Sequence, residues 1–554
     1  MNIDEYFGQK SEAERKLLCL LRYTRGGYEE ERILHNFLLD AYVGGGGFQN
    51  GLIPAPDAPF WGRRAYERGR SAWINSRDRY MAGQDTGAKR ATQNPASYLV
   101  AFSGEDQDAY RDRIMCASYH NPVEKIVRVT NSLLFQQEPQ RNNIPPALAK
   151  WIDKADSRQR SMSHCMRNTG LRTQIFGWTG VLVDSPADVA PDQMTASAMA
   201  ERMPYVVPLC PQEILDIDID PSGEVTGLKI STMHEHKRTS MMDEKLYEEH
   251  ITYLYPDRWE RYVILMPPPK HAKGNGYFEP DTGRIISETK GVNYHGRIPV
   301  EFCSWDEGFG VVASSGLPEI YNIAKVAWDL FQQNSELRNI MRGQTFSQLI
   351  MPRKAQTAPG QQSVGIGNAL VEDNDTKGIH RFITPDPAAA EVYEKRMEGT
   401  TEMLHTISGL DLNSRRYTET AEAMRIRFQQ TSSMLRNAAK NLESCERNLI
   451  VIAGRAMSFR EEVLSDIEVI RPTVFDVDRY STQIDEALKL MTLPWGKEAL
   501  KDIMSKTIRS AIPSATEARL NVLDQEIGAT IEASYDSIRA AALNSVAANA
   551  VTAQ

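Results

Sequence analysis

Between residues 424 and 452 the positions Met424, Phe428, Thr431, Leu435, Ala438, Leu442, Cys445, Leu449 and Ile452 recur at alternating steps of four and three. An α-helix brings such positions onto one stripe, and Thr418 is placed to cap it. A helix over 419–455 would be a rod of roughly 55 Å at about 1.5 Å per residue, longer than most globular helices. A seam of four heptads reads most simply as a two-stranded coiled coil. Thr431, Ala438 and Cys445 are too small for a strong dimer seam, however, and suit close packing of the rod inside a larger body.

The 554 residues are enough for several cores, and 41% hydrophobic with 25% charged residues is ordinary globular composition. Upstream of the rod the pattern changes several times. Leu17, Leu20, Leu21, Ile33, Leu34, Phe37 and Leu38 predict two helices over 11–42, broken at Gly26 and Gly27. Residues 43–60, with the run Gly44 to Gly47 and IPAPDAP, read as a connector, and 61–185 as mainly helical. The alternation in ILDIDI (214–219), the turn DPSG (220–223) and the return at 225–230 predict a β-hairpin. HITYLY (250–255), Pro256-Asp257 and RYVILM (261–266) predict another, so 205–302 forms a β-rich part set between helical ones.

From Pro318 a helix of roughly 25 residues runs to a stop at Gly343. A Gly/Pro/Gln-rich interval follows, with short strands at 346–351 and 379–383. Asp386-Pro387 then opens a second helix, ended by Gly409, with Tyr393, Met397, Leu404 and Ile407 on one stripe. Between 386 and 408 five acids, Asp386, Glu391, Glu394, Glu398 and Glu402, face two bases, Lys395 and Arg396, a net of −3. Beyond the rod, Glu468-Val469-Ile470 precedes Pro472, helices are expected near 481–492, 496–507 and 514–540, and the Ala-rich end 540–554 reads as a frayed helix or disordered tail.

Signals for chemistry are sparse. A balance of 64 Lys+Arg against 73 Asp+Glu leaves −9, so the chain as a whole does not attract nucleic acid, and any DNA contact must be local or non-adhesive. The six cysteines are scattered with no Cys-x-x-Cys pair, which argues against a zinc ribbon or redox motif and for reduced, mostly buried thiols. The N-terminus lacks a secretory pattern, and no run of 18 apolar residues would span a membrane. No Gly-x4-Gly-Lys-[Ser/Thr] is present to cradle the phosphates of a nucleotide-driven motor, and Gly365-x-Gly367 lacks the context of a dinucleotide site. His234 and His236 would share one face of a strand, but no third ligand is near in sequence, and a solvated charged hairpin end is the simpler reading. Adjacent His164 and Cys165 have no orienting acid and read as structural.

The order of elements carries more: a neutral helix and an acidic helix flank a small loop-rich module, followed by a dibasic loop and a long rod. This order resembles the portal proteins of tailed bacteriophages. SGEDQDAYRDRIMCASYHNPVEKIVRVTNSLLFQQEPQR (103–141) resembles the family's N-terminal signature, with Tyr119 and Asn121 ahead of a helix ending at Leu134-Phe135 and with Pro139 after it. GWTGVLVDSP (177–186) resembles the segment leading to the wing strands, and RIPVEFCSWDEGFG (297–310) and TETAEAMRIRF (418–428) match in kind and order. The resemblance covers about 103–530 and is weak over 1–100.

What the resemblance implies is a mainly α, α+β ring subunit. It would have an N-terminal helical wing extension at 1–102, a wing at 103–315, stem helices at 316–343 and 386–408, a clip at 344–385, a tunnel loop at 409–417, a long wing helix at 418–455, and a crown with C-terminal tail at 456–554. Portal rings, usually of twelve subunits, sit at one capsid vertex and pass double-stranded DNA during packaging and ejection. The implied partners are further copies of the chain, the DNA, the terminase large subunit, the major capsid protein and a tail adaptor. The place is the virion, with assembly in the host cytoplasm, and no enzyme activity, catalytic residue, metal, cofactor or membrane is implied. Glu391, Glu394, Glu398 and Glu402 would line the channel, and twelve copies of a −3 helix would repel phosphates. Arg415 and Arg416 of the tunnel loop would touch DNA. Arg353, Lys354, Gln361 and Gln362 of the clip would dock the partners. The competing expectations are a capsid-associated metal-dependent hydrolase using the His234/His236 region and a scaffold oligomer that handles no DNA.

Overall fold

The structure is a computed structural model. It describes residues 10–45, 48, 98–100, 110, 113–114, 117–184, 203–221, 224–236, 246–266, 283–293, 296–306, 318–345, 348–352, 370–372, 381–383, 388–409 and 421–472, with helical turns at 497–498, 501–502, 504–505, 522–529 and 531–532. It is a mixed helical and β fold built around the long helix that the spacing predicts, α8 (Ala421–Ala456).

Around α8 lie α4 (Pro146–Ile152), α5 (Met162–Phe176), β2 (Trp178–Asp184) and β9 (Val300–Ser304). Leu435, Ala438, Leu442, Cys445, Leu449 and Ile452 are buried in one cluster with Trp151, Met162, Met166 and Val181. The small residues Ala438 and Cys445 of the seam thus serve close packing within the body, as their size predicts. Gly170 allows the approach of α5, since a Cβ there would stand 2.8 Å from the Phe135 ring and 3.4 Å from Leu442. The strand β13 (Glu468–Ile470) pairs antiparallel with β1 (Gln140–Asn142) over this core. The span 61–185, read as mainly helical, ends instead in a strand: Gly177, at φ 85°, closes α5, and the apolar run behind it becomes β2.

A second core joins α2 (Tyr28–Val43), α3 (Pro122–Leu134) and α6 (Ile320–Thr345). Asn121 caps α3 by accepting the Glu124 N–H at 3.1 Å, and its own amide donates to the Tyr42 carbonyl at 3.0 Å. The Tyr119 hydroxyl donates to the Ala41 carbonyl at 3.0 Å, so these two residues tie α3 to α2.

The β-rich part is a five-stranded antiparallel meander of β4 (Ile214–Ile219), β5 (Val225–Glu235), β6 (Tyr247–Leu254), β7 (Arg258–Met266) and β8 (Arg284–Val292). Both hairpins foreseen from turn residues are present. Helix α1 (Glu12–Leu21) covers one face through Leu18 and Leu21. Lys229 Nζ donates to the Leu20 and Tyr23 carbonyls at its C-terminal end, at 3.2 and 2.7 Å. Buried Glu249 accepts from Arg22 at 2.8 Å and from the Ser231 hydroxyl at 3.0 Å. A smaller sheet places β2 between β3 (Tyr205–Leu209) and β9.

Helix α6 continues through Gly343, which the sequence reading took as its stop. It leads into a three-stranded sheet in which β10 (Gln348–Pro352) lies between a parallel β11 (Leu370–Glu372) and an antiparallel β12 (Arg381–Ile383). Strand β11 has no counterpart in the sequence reading. Helix α7 (Ala388–Ser408) follows and ends at Gly409, φ 64°, as expected. The short helix α9 (Glu461–Ser465) closes the described order before β13. The expected connector at 43–60 apart from residues 43–45 and 48, the loop at 409–417 past Gly409, and the tail at 540–554 lie outside the described residues, as does most of the expected helical region 481–540.

Candidate functional site

Helices α6 and α7 pack as an antiparallel pair with the three-stranded sheet at their far end. Gln333 Nε2 donates to Thr400 Oγ1 at 3.2 Å, and Tyr393 meets Glu336 one turn further out. Burial pushes the Tyr393 hydroxyl up, and the charge of Glu336 adds to that. Leu404 is 2% exposed and joins Ile320, Ile323, Ala327 and Phe331 in the second core.

The helical period sorts the rest. At about 100° per residue, Glu391, Glu394, Glu398 and Glu402 fall within an arc of about 80°, with Lys395 about 20° beyond it. Leu404, Met397, Tyr393 and Ile407 lie on the other side, the side that packs on α6. All four glutamates are exposed. Arg396 lies well away from the acid row and acts on Asp329 of α6, whose carboxyl is pushed up by burial against the opposing charges of Lys325 and Arg396. One of the two bases of α7 is therefore turned toward α6, and the outer surface keeps a row of acids.

Such a row costs the helix stability, since like charges one turn apart repel by about 0.2–0.5 kcal/mol per pair. It repels polyanions. Of the residues singled out from sequence, the structure brings together these four glutamates. Arg353, Lys354, Gln361 and Gln362 of the expected clip and Arg415 and Arg416 of the expected tunnel loop lie outside the described residues.

His234 and His236 sit at the end of β5, and here pairing supplies neighbours that linear spacing did not show. His234 faces the His250 ring at 4.3 Å between centroids, and Glu248 contacts both His236 and His250, the latter at 3.0 Å. Burial works against the Glu248 carboxylate, yet hydrogen bonds from His250 and His236 hold it below the usual carboxylate range. Among the described residues no group of three or more His, Cys, Asp and Glu is arranged to hold a metal ion. His164 contacts Arg160 at 2.7 Å, and Cys165 is buried with its thiol pushed up to about 12 by burial first and then by the charge of Asp156. The thiols of Cys165, Cys210, Cys303 and Cys445 are free and buried, whereas Cys19 is exposed. Among the described residues no helix is long and apolar enough to cross a membrane.

Residues 319–454 match a family described as a domain of unknown function (DUF4055). The match begins beside the first residue of α6 and ends near the end of α8. It takes in the helix pair, the small sheet between them and the long helix.

Proposed function

We propose that this chain is the subunit of a phage-type portal: a ring, dodecameric in the usual case, set at one capsid vertex. In this reading α6 and α7 are the stem, the sheet of β10, β11 and β12 belongs to the clip, and α8 is the long wing helix. The observation that carries it is the exposed row Glu391, Glu394, Glu398 and Glu402, opposite the packed side of a helical hairpin.

A ring multiplies this row by the number of subunits and lines the passage with negative charge, which keeps DNA centred and unbound. Adhesion would hinder passage, because every neutralised phosphate adds affinity that must be broken at each step. The loop with Arg415 and Arg416 is the exception, a belt of cations that contacts phosphates at one level. The clip, with Arg353, Lys354, Gln361 and Gln362, docks the terminase large subunit during packaging and a tail adaptor afterwards, while the major capsid protein surrounds the wing. The protein then resides in the virion and acts without catalysis.

Changing Arg415 and Arg416 together to alanine is expected to leave ring assembly intact and to reduce packaged or retained genome several-fold. Nuclease-protected DNA per particle measures this, and wild-type yield and retention would count against the role of the loop.

A further inference from the structure

At the root of the helix pair, six parts of the chain meet around a small cavity: α3, α5, the turn after β9, the start of α6, the end of α7, and α8. Its lining includes Thr130, Gln174, Trp305, Glu319, Ser408 and Leu435, and it leaves about 10 Å³ for the centre of a water molecule, room for about one. Two buried oxygens here, Glu319 Oε2 and Gln174 Oε1, have no hydrogen-bond partner. Gln174 is only 2% exposed. The nearby hydroxyls are committed elsewhere, Thr130 donating to the Ile126 carbonyl at 2.9 Å and Ser408 to the His405 carbonyl at 3.0 Å. Two buried acceptors that neither hydroxyl serves mark a place for a proton.

We propose that Glu319 holds a proton while this junction is closed and releases it when the junction opens, making the root of the helix pair a proton-operated joint. The protonated carboxyl supplies the missing donor, directly or through one enclosed water. Its ionised form is a buried charge with no cation on the lining, so it favours separation of the helix ends and entry of water. Burial raises the Glu319 carboxyl, a hydrogen bond with Trp305 opposes this, and the charge of Asp306 adds to it, for a result of about 7. The titratable group on the last turn of α7 is His405, while the lining positions of α3, α5 and α8 carry none. Because the closed-state value lies above the ordinary 4.5, closure is most favoured below about pH 4.5, weakens as pH rises toward 7, and changes no further above it. This inference goes beyond the proposed channel and stands or falls without it, since it concerns one chain.

Hydrogen exchange of the full-length protein, corrected for intrinsic rates, tests it. Protection of peptides covering 318–323 and 402–408 is expected to fall by up to tenfold per pH unit between 5 and 7 and then level off, while peptides over 146–152 stay flat. Glu319→Gln, neutral at every pH, should abolish the slope. Asp306→Asn, at an exposed position, should shift the levelling-off to lower pH. A flat wild-type profile, a slope that persists in Glu319→Gln, or a profile unmoved by Asp306→Asn would each overturn the proposal. Should Glu319→Gln not fold, the wild-type and Asp306→Asn profiles decide it.

Discussion

Replacing Glu446 by alanine is expected to destabilise the fold by about 3–5 kcal/mol, the usual cost of stranding buried charges. Glu446 is fully buried on α8 and holds two cations. Arg141 of β1 reaches its Oε1 from Nη2 at 2.6 Å, and Arg471, just past β13, reaches its Oε2. Arg141 also donates to the Ser163 hydroxyl at 2.9 Å, and the Arg471 guanidinium lies 5.0 Å from the centre of the Phe135 ring. One carboxylate thus fastens both strands of the β1–β13 ladder to the long helix. Removing it leaves two guanidinium groups, 17% and 3% exposed, without the carboxylate that both of them bind. The urea midpoint should fall accordingly, with loss of exchange protection over 140–142 and 468–470 first. Replacing all three residues by apolar ones of similar volume should recover most of the loss, because the penalty lies in the unpaired charges. A cost below about 1 kcal/mol for the single variant would contradict the geometry.

The second large effect is acid sensitivity through His35 on α2. Its side chain is buried, with its ring edge-on to Phe176 at 5.5 Å between centroids. Burial first, and the charge of Arg25 second, lower it to about 3, while a hydrogen bond with the Phe176 backbone opposes the shift. The unfolded chain therefore takes up a proton near pH 6.5 that the folded one refuses. Stability from this group is complete above about pH 7 and is lost as pH falls from about 6.5 toward 3. At pH 5 the loss is about 2 kcal/mol by this linkage. In His35→Gln the difference between urea midpoints at pH 8 and pH 5 should shrink by that amount. An equal difference in variant and wild type would show that His35 is not held neutral.

What could be read from the sequence followed from periodicity and punctuation. The long helix was legible because its stripe persists over four heptads, and its burial was legible because Ala438 and Cys445 are small. The hairpins were legible because DPSG and Pro256-Asp257 separate alternating runs. The acid row followed from steps of three and four along one helix. The rest depends on contacts that no local window contains. Arg141 and Glu446 are 305 residues apart, so nothing near Glu446 shows that its charge is buried and paired. The oxygens of Gln174 and Glu319 share a cavity only because α5 and α6 meet there. Strand β11 is three residues long, too short to show alternation, and β2 was hidden by its apolar run directly behind a helix.

The central claim, that many copies of this chain close around a passage for DNA, is tested most directly by electron microscopy of the purified protein. The account predicts a ring of subunits with an opening along its axis wide enough for a double helix. A single chain, or a compact assembly with no axial opening, would contradict it.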